Sequence, residues 1–210
     1  SFVLILAFSI PLGILTARHA GGRLDRAMTA VNQALMAIPA FVTGILLTYV
    51  FGLVLRWFVP GNYVSPGDNF GGSLWYFLFP AVSIALPRVA MTVKMLRSSI
   101  LSELQKDYVR TSHSRGNSDR ATLYRHVLRN AMGPVVSFLA MTVADIVAGS
   151  VVIEQVFSLP GLGRMLLTSI ANRDYPVVQA VVVIVAFWVV LVNLLADLIN
   201  QRLDPRLRLT

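Results

Sequence analysis

The chain has no cysteine, few charges and almost no lysine, and each shortage removes a class of function. With no cysteine among 210 residues, disulfides and thiolate-ligated metals are excluded. Charged residues make up 13% of the sequence, against roughly 25% in soluble domains. The only lysines, Lys94 and Lys106, follow Val93 and Gln105, so no Gly-Lys pair exists for a Walker A loop to hold nucleotide phosphates. The histidines, His19, His113 and His126, are scattered without an HExxH spacing, which leaves no zinc signature. No serine stands in a GxSxG elbow. An enzyme is not expected, nor a metal or cofactor bound to this chain.

What the sequence has is apolar length. It is 56% hydrophobic, with a mean hydropathy of +0.69. A bilayer core takes about 20 apolar residues of helix, and five runs answer to that, the first of them short: Phe2–Ala17, Ala30–Val59, Leu74–Leu96, Ala131–Ile153 and Val177–Ile199. Pro39 breaks the second, which is long. The expected fold is an all-α integral membrane protein, one domain over residues 1–210.

The basic residues sort between the two faces. Arg18, Arg23 and Arg26 separate spans one and two. Arg97, Lys106, Arg110, Arg115, Arg120, Arg125 and Arg129 separate three and four, and Arg202, Arg206 and Arg208 follow five. The other face has no basic residue between Val59 and Leu74, and only Arg164 and Arg173 in its second connection. The positive-inside rule places the basic loops and the C-terminus in the cytoplasm. Five spans then put the N-terminus outside, and Ser1 opens directly into an apolar run. The reading preferred over a removed signal sequence is a fragment lacking at least one earlier span.

The two outer connections differ. Residues 60–73, PGNYVSPGDNFGGS, form a turn-rich loop. Residues 154–176 mix apolar residues with a PGLG turn, too short to cross and return, so a re-entrant or surface-lying helix is expected, with Gly161 and Gly163 allowing the bend. Within the spans, Asp145 is an ionisable group at depth, by default a functional candidate. It either lines a translocation path or is a structural carboxyl. Counted along straight helices, it lies about 21 Å from the inner boundary and Arg88 about 9 Å. That offset argues against a direct ion pair without tilt, so Arg88 and Lys94 are expected to snorkel inward. Asp197 falls near the headgroups.

Residues 97–130 are the most specific stretch. Leu101, Leu104 and Tyr108 share a helical face. Gly116 can take the left-handed conformation that stops a helix. Ser118 offers a cap, with Asp119 in the first turn of a second helix to about Met132. A solvated loop on anionic headgroups is the plainer alternative, but a helix–glycine–helix suits docking to a soluble partner better.

That segment, RTSHSRG followed ten residues after Gly116 by HVLRN, resembles the EAA-type loop of bacterial ABC importer permeases of the dipeptide/oligopeptide type. Arg110, Thr111, Ser112 and Gly116 match its RTAxxKG-like string, and His126, Leu128, Arg129 and Asn130 its HxLRN ending. Ser112 and Ser114 stand where alanine is usual, and Arg115 where lysine is common. EQVFSLPGLGR from Glu154 is similar to the family's ExVFxxPGLG, NRDYPVVQ from Asn172 to RDYPxVQ, the ending NLLADLINQRLDPRLR to NLLxDxxYxxLDPR, and AIPAF from Ala37 to SIPxF.

The resemblance implies a six-helix type I permease of a bacterial inner or cytoplasmic membrane, with five of its spans in this chain. It implies a heterodimer with a second homologous permease, two cytosolic ABC ATPases carrying ATP and Mg2+, and an extracytoplasmic peptide-binding protein. Lipid is a partner and nucleic acid is not. The ATPase-coupling residues implied are Tyr108, Arg110, Thr111, Ser112, Gly116, His126, Leu128, Arg129 and Asn130. Glu154, Phe157, Pro160, Gly161, Gly163, Arg173 and Asp174 would form an outer gate or receptor contact. Cargo stays open among di- and oligopeptides, glutathione and nickel chelates. A secondary transporter or channel would explain the spans and Asp145 but not the loop, and a scaffold the loop but not Asp145.

Overall fold

A computed structural model describes residues 1–203, apart from the side chains at Ala148, Ala196, Asp197 and 199–203. Asp197, Arg202, Arg206 and Arg208 therefore carry sequence expectations that lie outside the described residues. Among the described residues the chain is helical throughout: α1 Phe2–Arg18, α2 Arg23–Ala37, α3 Ala40–Leu47, α4 Phe70–Leu104, α5 Asp107–Ser114, α6 Asp119–Thr122, α7 Leu128–Val156, α8 Leu162–Ala171 and α9 Tyr175–Leu203. π-helical stretches extend α3 over Thr48–Val54 and join α6 to α7 over Leu123–Val127. Three helical stretches are long and apolar enough to cross a membrane, Phe70–Leu104, Asp119–Val147 and Tyr175–Leu195, and the pair α2–α3 forms a fourth if counted as one span. The 17-residue α1 is apolar but shorter.

The second expected span does not run straight from Ala30. Pro39 lacks an N–H and drives Ile38 into an extended conformation (φ −91°, ψ 119°). The chain turns by 94° between residues 23–37 and 40–54. Only the second part is uniformly apolar, and α2 carries Arg23, Asp25 and Arg26 in its first turn.

The central α4 is 35 residues long, about 52 Å at 1.5 Å per residue, and overshoots a bilayer core of roughly 30 Å. It packs on α1, α2, α3 and α7. Its two halves serve two cores. Towards the basic loops, Val89, Val93, Leu96 and Ile100 meet Ile5 and Ile14 of α1, Val109 of α5, and Leu123, Val127, Ala131, Val135 and Leu139 on the α6–α7 side. At the other end, Tyr76 and Phe79 meet Phe58, Ile153, Phe157 and Leu159. There Phe58 stacks on Phe79, with ring centroids 4.3 Å apart, and the Tyr76 hydroxyl donates 2.6 Å to the Phe157 carbonyl. Peripheral α9 leaves Val183, Phe187, Trp188 and Val190 exposed, an outward apolar face suited to lipid or a partner helix.

Candidate functional site: a basic helical bend, an outer capped helix and a charged belt

The polar segment folds as two helices meeting at Gly116. The bonds Gly116 N–H to His113 carbonyl (2.9 Å) and Asn117 N–H to Ser112 carbonyl (3.3 Å) close α5 in a Schellman motif, with Gly116 left-handed at φ +81°. A Cβ there would meet nothing within 4 Å, so the glycine serves the backbone angle and not a tight fit. Ser118 then caps α6, its hydroxyl accepting from Ala121 N–H at 3.3 Å. Across the bend the Ser112 and Thr122 hydroxyls, both buried, lie 2.9 Å apart, and Asn117 donates 3.1 Å to Ser112. His113 and Asp119 face each other at 3.1 Å outside this buried link.

Two details differ from expectation. Leu101, Leu104 and Tyr108 do not share one helix, because the chain breaks at Gln105–Lys106 before α5 starts. The helix begun at Asp119 does not end near Met132, but runs through the π segment into the membrane as α7. Tyr108 donates 2.8 Å to Glu103, and burial pushes its phenol above its ordinary range. Arg110, Thr111, Gly116, His126, Arg129 and Asn130 are exposed, whereas Ser112 is buried and Leu128 half-buried. The structure thus sorts the expected coupling residues into an exposed set of six and three that are not, with Tyr108 and Leu128 packed against the core and Ser112 bonded across the bend.

The outer segment is built around Glu154. One oxygen of its carboxylate accepts the N–H groups of Gly163 (2.8 Å) and Arg164 (3.1 Å) in the first turn of α8, two of the amides that a helix start leaves unpaired. Ser150 donates weakly to the other oxygen at 3.4 Å. Arg164 reaches back to the Ser158 carbonyl at 2.9 Å. A Cβ at Gly163 would overlap the Val151 backbone, and one at Gly161 the Glu154 carboxyl, so the PGLG turn is where α8 presses onto α7. Ser158 and Arg173 are left-handed (φ +52° and +57°), and each ends its helix in a Schellman pattern. Phe157 is buried in the outer core. Pro160, Arg173 and Asp174 are exposed, with Asp174 accepting from Val177 N–H at 3.4 Å at the start of α9.

Between the two cores lies a charged contact that the sequence estimate argued against. Arg88 Nη1 donates 2.8 Å to Asp145 Oδ2, joining α4 to α7, with side chains 26% and 55% exposed. The apolar boundaries did not give the true register. The helix containing Asp145 starts at Asp119 and not near Ala131, and the long arginine side chain spans what remains. Arg88 therefore does not snorkel. Lys94, by contrast, is exposed.

Sequence reasoning missed a second pair. Arg97 grips the buried Asp25 through Nε and Nη2, both at 2.7 Å, and Gly21 N–H adds a third bond at 2.8 Å. These hold the Asp25 carboxyl below its usual range, with the Arg97 bond the largest cause. The available signal was a lone acid among arginines in the first basic connection.

Comparison with known proteins agrees with this architecture. The family described as "Binding-protein-dependent transport system inner membrane component" matches residues 9–209. An oligopeptide transport system permease, AppB of Bacillus subtilis, is 35% identical over 99% of this chain and 66% of its own length. The nickel import system permease NikB of Staphylococcus aureus is 32% identical over 100% and 60%. The chain thus spans less than two thirds of the length of these relatives. A solved structure of the MetNI methionine ABC transporter superposes with a TM-score of 0.73, covering 97% of this chain and 89% of that one. At 18% identity it speaks for the fold alone, that of a type I importer permease. With the match running almost from end to end, the chain belongs to the binding-protein-dependent transport system inner membrane components.

Proposed function

We propose that the chain is a membrane-spanning part of a permease subunit in an ATP-driven importer, the subunit forming half of a pathway for di- or oligopeptides. A second homologous permease completes the pathway as a heterodimer. Two cytosolic ATPases, with ATP and Mg2+, dock on α5–Gly116–α6, and an extracytoplasmic binding protein delivers cargo at the α8 side. The basic connections and the C-terminus face the cytoplasm.

The observation that carries the reading is the exposed helical bend whose inner face belongs to the bundle. Val109, Leu123 and Val127 sit in the same core as Leu96 and Ala131, so a force on the bend reaches the spans. Arg88, partly open, and Asp145, more than half open to its surroundings, offer both charges to a zwitterionic peptide. Neither a free-running channel nor a scaffold gives a reason for both features. The test is reconstitution of the full-length permease with its partner permease, ATPases and binding protein. ATP-dependent uptake of labelled peptide is expected, and peptide uptake that proceeds unchanged without ATP overturns the reading. A nickel-chelate cargo is the competing reading, favoured by the resemblance to the nickel permease. Uptake of chelated nickel but not of peptide would select it.

A further inference from the structure

A small polar pocket lies between α2 and α4, away from the bend, the outer helix and the Arg88–Asp145 pair. Thr29, Asn32, Gln33 and Met36, one stripe of α2, line one side and Lys94 and Arg97 of α4 the other, enclosing about 90 Å³. One water needs about 10–15 Å³ on this kind of measure, so the space suits a group of several heavy atoms. Its chemistry is one-sided. Arg97 spends Nε and Nη2 on Asp25, which fixes the guanidinium and leaves Nη1 uncommitted. Lys94 has no ion-pair partner among the described residues. Asn32 is 92% buried (8% exposed) and lines the space with no side-chain hydrogen bond among the described residues. Its amide opens into the pocket, free to bond an occupant, and lies beside two cationic donors whose one facing carboxylate is already engaged.

We infer that this pocket binds a phosphate oxyanion, supplied by the headgroup of an anionic phospholipid. Arg97 and Lys94 would provide the charge-assisted bonds and Asn32 the neutral donor. The lipid source is favoured by the setting. With α3 along the membrane normal, the 94° turn lays α2 along the surface. Exposed Leu24 and Val31 give α2 an apolar contact, and exposed Arg18, Arg23 and Arg26 at the end of α1 and the start of α2 add positive charge, the pattern of an interfacial helix on anionic lipid. Met36 supplies an apolar wall for the glycerol end. The occupant would sit beside the Pro39 break and link surface charge to the angle between α2 and α3.

The test uses the full-length permease in its ATPase complex, stripped of lipid in neutral detergent and read by thermal unfolding, so it is independent of membrane orientation and of cargo. Dioctanoyl phosphatidylglycerol should raise the unfolding temperature in a saturable way, and dioctanoyl phosphatidylcholine should do so far less. Lys94→Gln, at an exposed site with no bond to lose, should unfold like the wild type without lipid yet bind phosphatidylglycerol about tenfold more weakly, as expected when one charge-assisted bond is removed. Lys94→Arg should restore binding. Undiminished affinity in Lys94→Gln would overturn the pocket, and an equal effect of inorganic phosphate would overturn the lipid as its occupant.

Discussion

Removing the Glu154 carboxylate should loosen α8 without unfolding the bundle, and the size of the effect follows from its bonds. Two amides, Gly163 and Arg164, donate to one oxygen at 2.8 and 3.1 Å. A fully protected hydrogen bond to a charged group contributes about 1.5–3 kcal/mol net. Glu154 is only half-buried, so about 1 kcal/mol for each bond is a fair reduction for solvent screening. Glu154→Ala should then raise the local opening constant of the first turn of α8 by about 30-fold, since 1.4 kcal/mol is tenfold. Glu154→Gln keeps a neutral acceptor and should lose about half as much. Hydrogen–deuterium exchange on peptides covering residues 162–171 reads this directly, with exchange fastest in the alanine variant and slowest in the wild type. Wild-type exchange in Glu154→Ala would refute the cap. Receptor-stimulated ATPase activity in the same variants gives a separate functional readout. It should fall in the same order if α8 meets the binding protein, and stay level if α8 only connects two spans.

At the basic bend, Gly116→Val should strain the left-handed backbone by about 1–2 kcal/mol and lower ATP-driven uptake, whereas Gly116→Asn, which tolerates that conformation, should keep the fold. Wild-type uptake by Gly116→Val would remove the bend from coupling, and uncoupling by both variants would show that the ATPase needs a bare surface there. Asp145→Asn should impair uptake more than membrane yield, and normal uptake in that variant would exclude a pathway role. Asp25→Asn should cost about 2–3 kcal/mol, below the usual range for breaking a fully buried pair because Arg97 is partly exposed. Because the folded-state value of Asp25 is depressed, its contribution is complete above the ordinary carboxylate range. It is lost only as pH falls through the lowered value, so acid unfolding of wild type and Asp25→Asn should converge only at strongly acidic pH.

Local signals in this chain were readable wherever one residue type admits one backbone. Gly116, Ser118 and Asp119 announced a stop and a restart, and the Schellman closure and serine cap stand there. Pro39 announced a break, but a proline states only that the helix ends and not by what angle the chain leaves, so the 94° turn was out of reach. The PGLG turn was legible as a bend. Its clamp was not, because Glu154 reaches the amides of Gly163 and Arg164 nine and ten residues on, a distance without helical or turn periodicity. Both long-range ion pairs, Arg88–Asp145 and Arg97–Asp25, depend on the relative register of packed helices. Hydropathy sets the ends of an apolar run to within a turn or two, and an error of that size decides whether two charges meet.

That register also gives the bundle its mechanical logic. α4 and α7 share an aliphatic core at the basic end and an aromatic one at the outer end, and Arg88 and Asp145 cross between the two. Packed cores resist gradual deformation, so a load applied at α5 and α6 is relieved more readily at the polar belt, where a partly exposed ion pair joins the helices. Inward and outward states of the proposed importer would then differ chiefly in whether that contact is closed. A cargo that engages Arg88 and Asp145 separately favours the open arrangement through its differential affinity for the two states. A charge-reversed pair, Arg88→Asp with Asp145→Arg, separates a latch from a recognition site. A latch survives reversal, because the attraction is restored. A site that orients a zwitterion presents its charges at exchanged positions, so assembly should hold while uptake falls, and wild-type uptake by the reversed pair would leave the contact a latch alone.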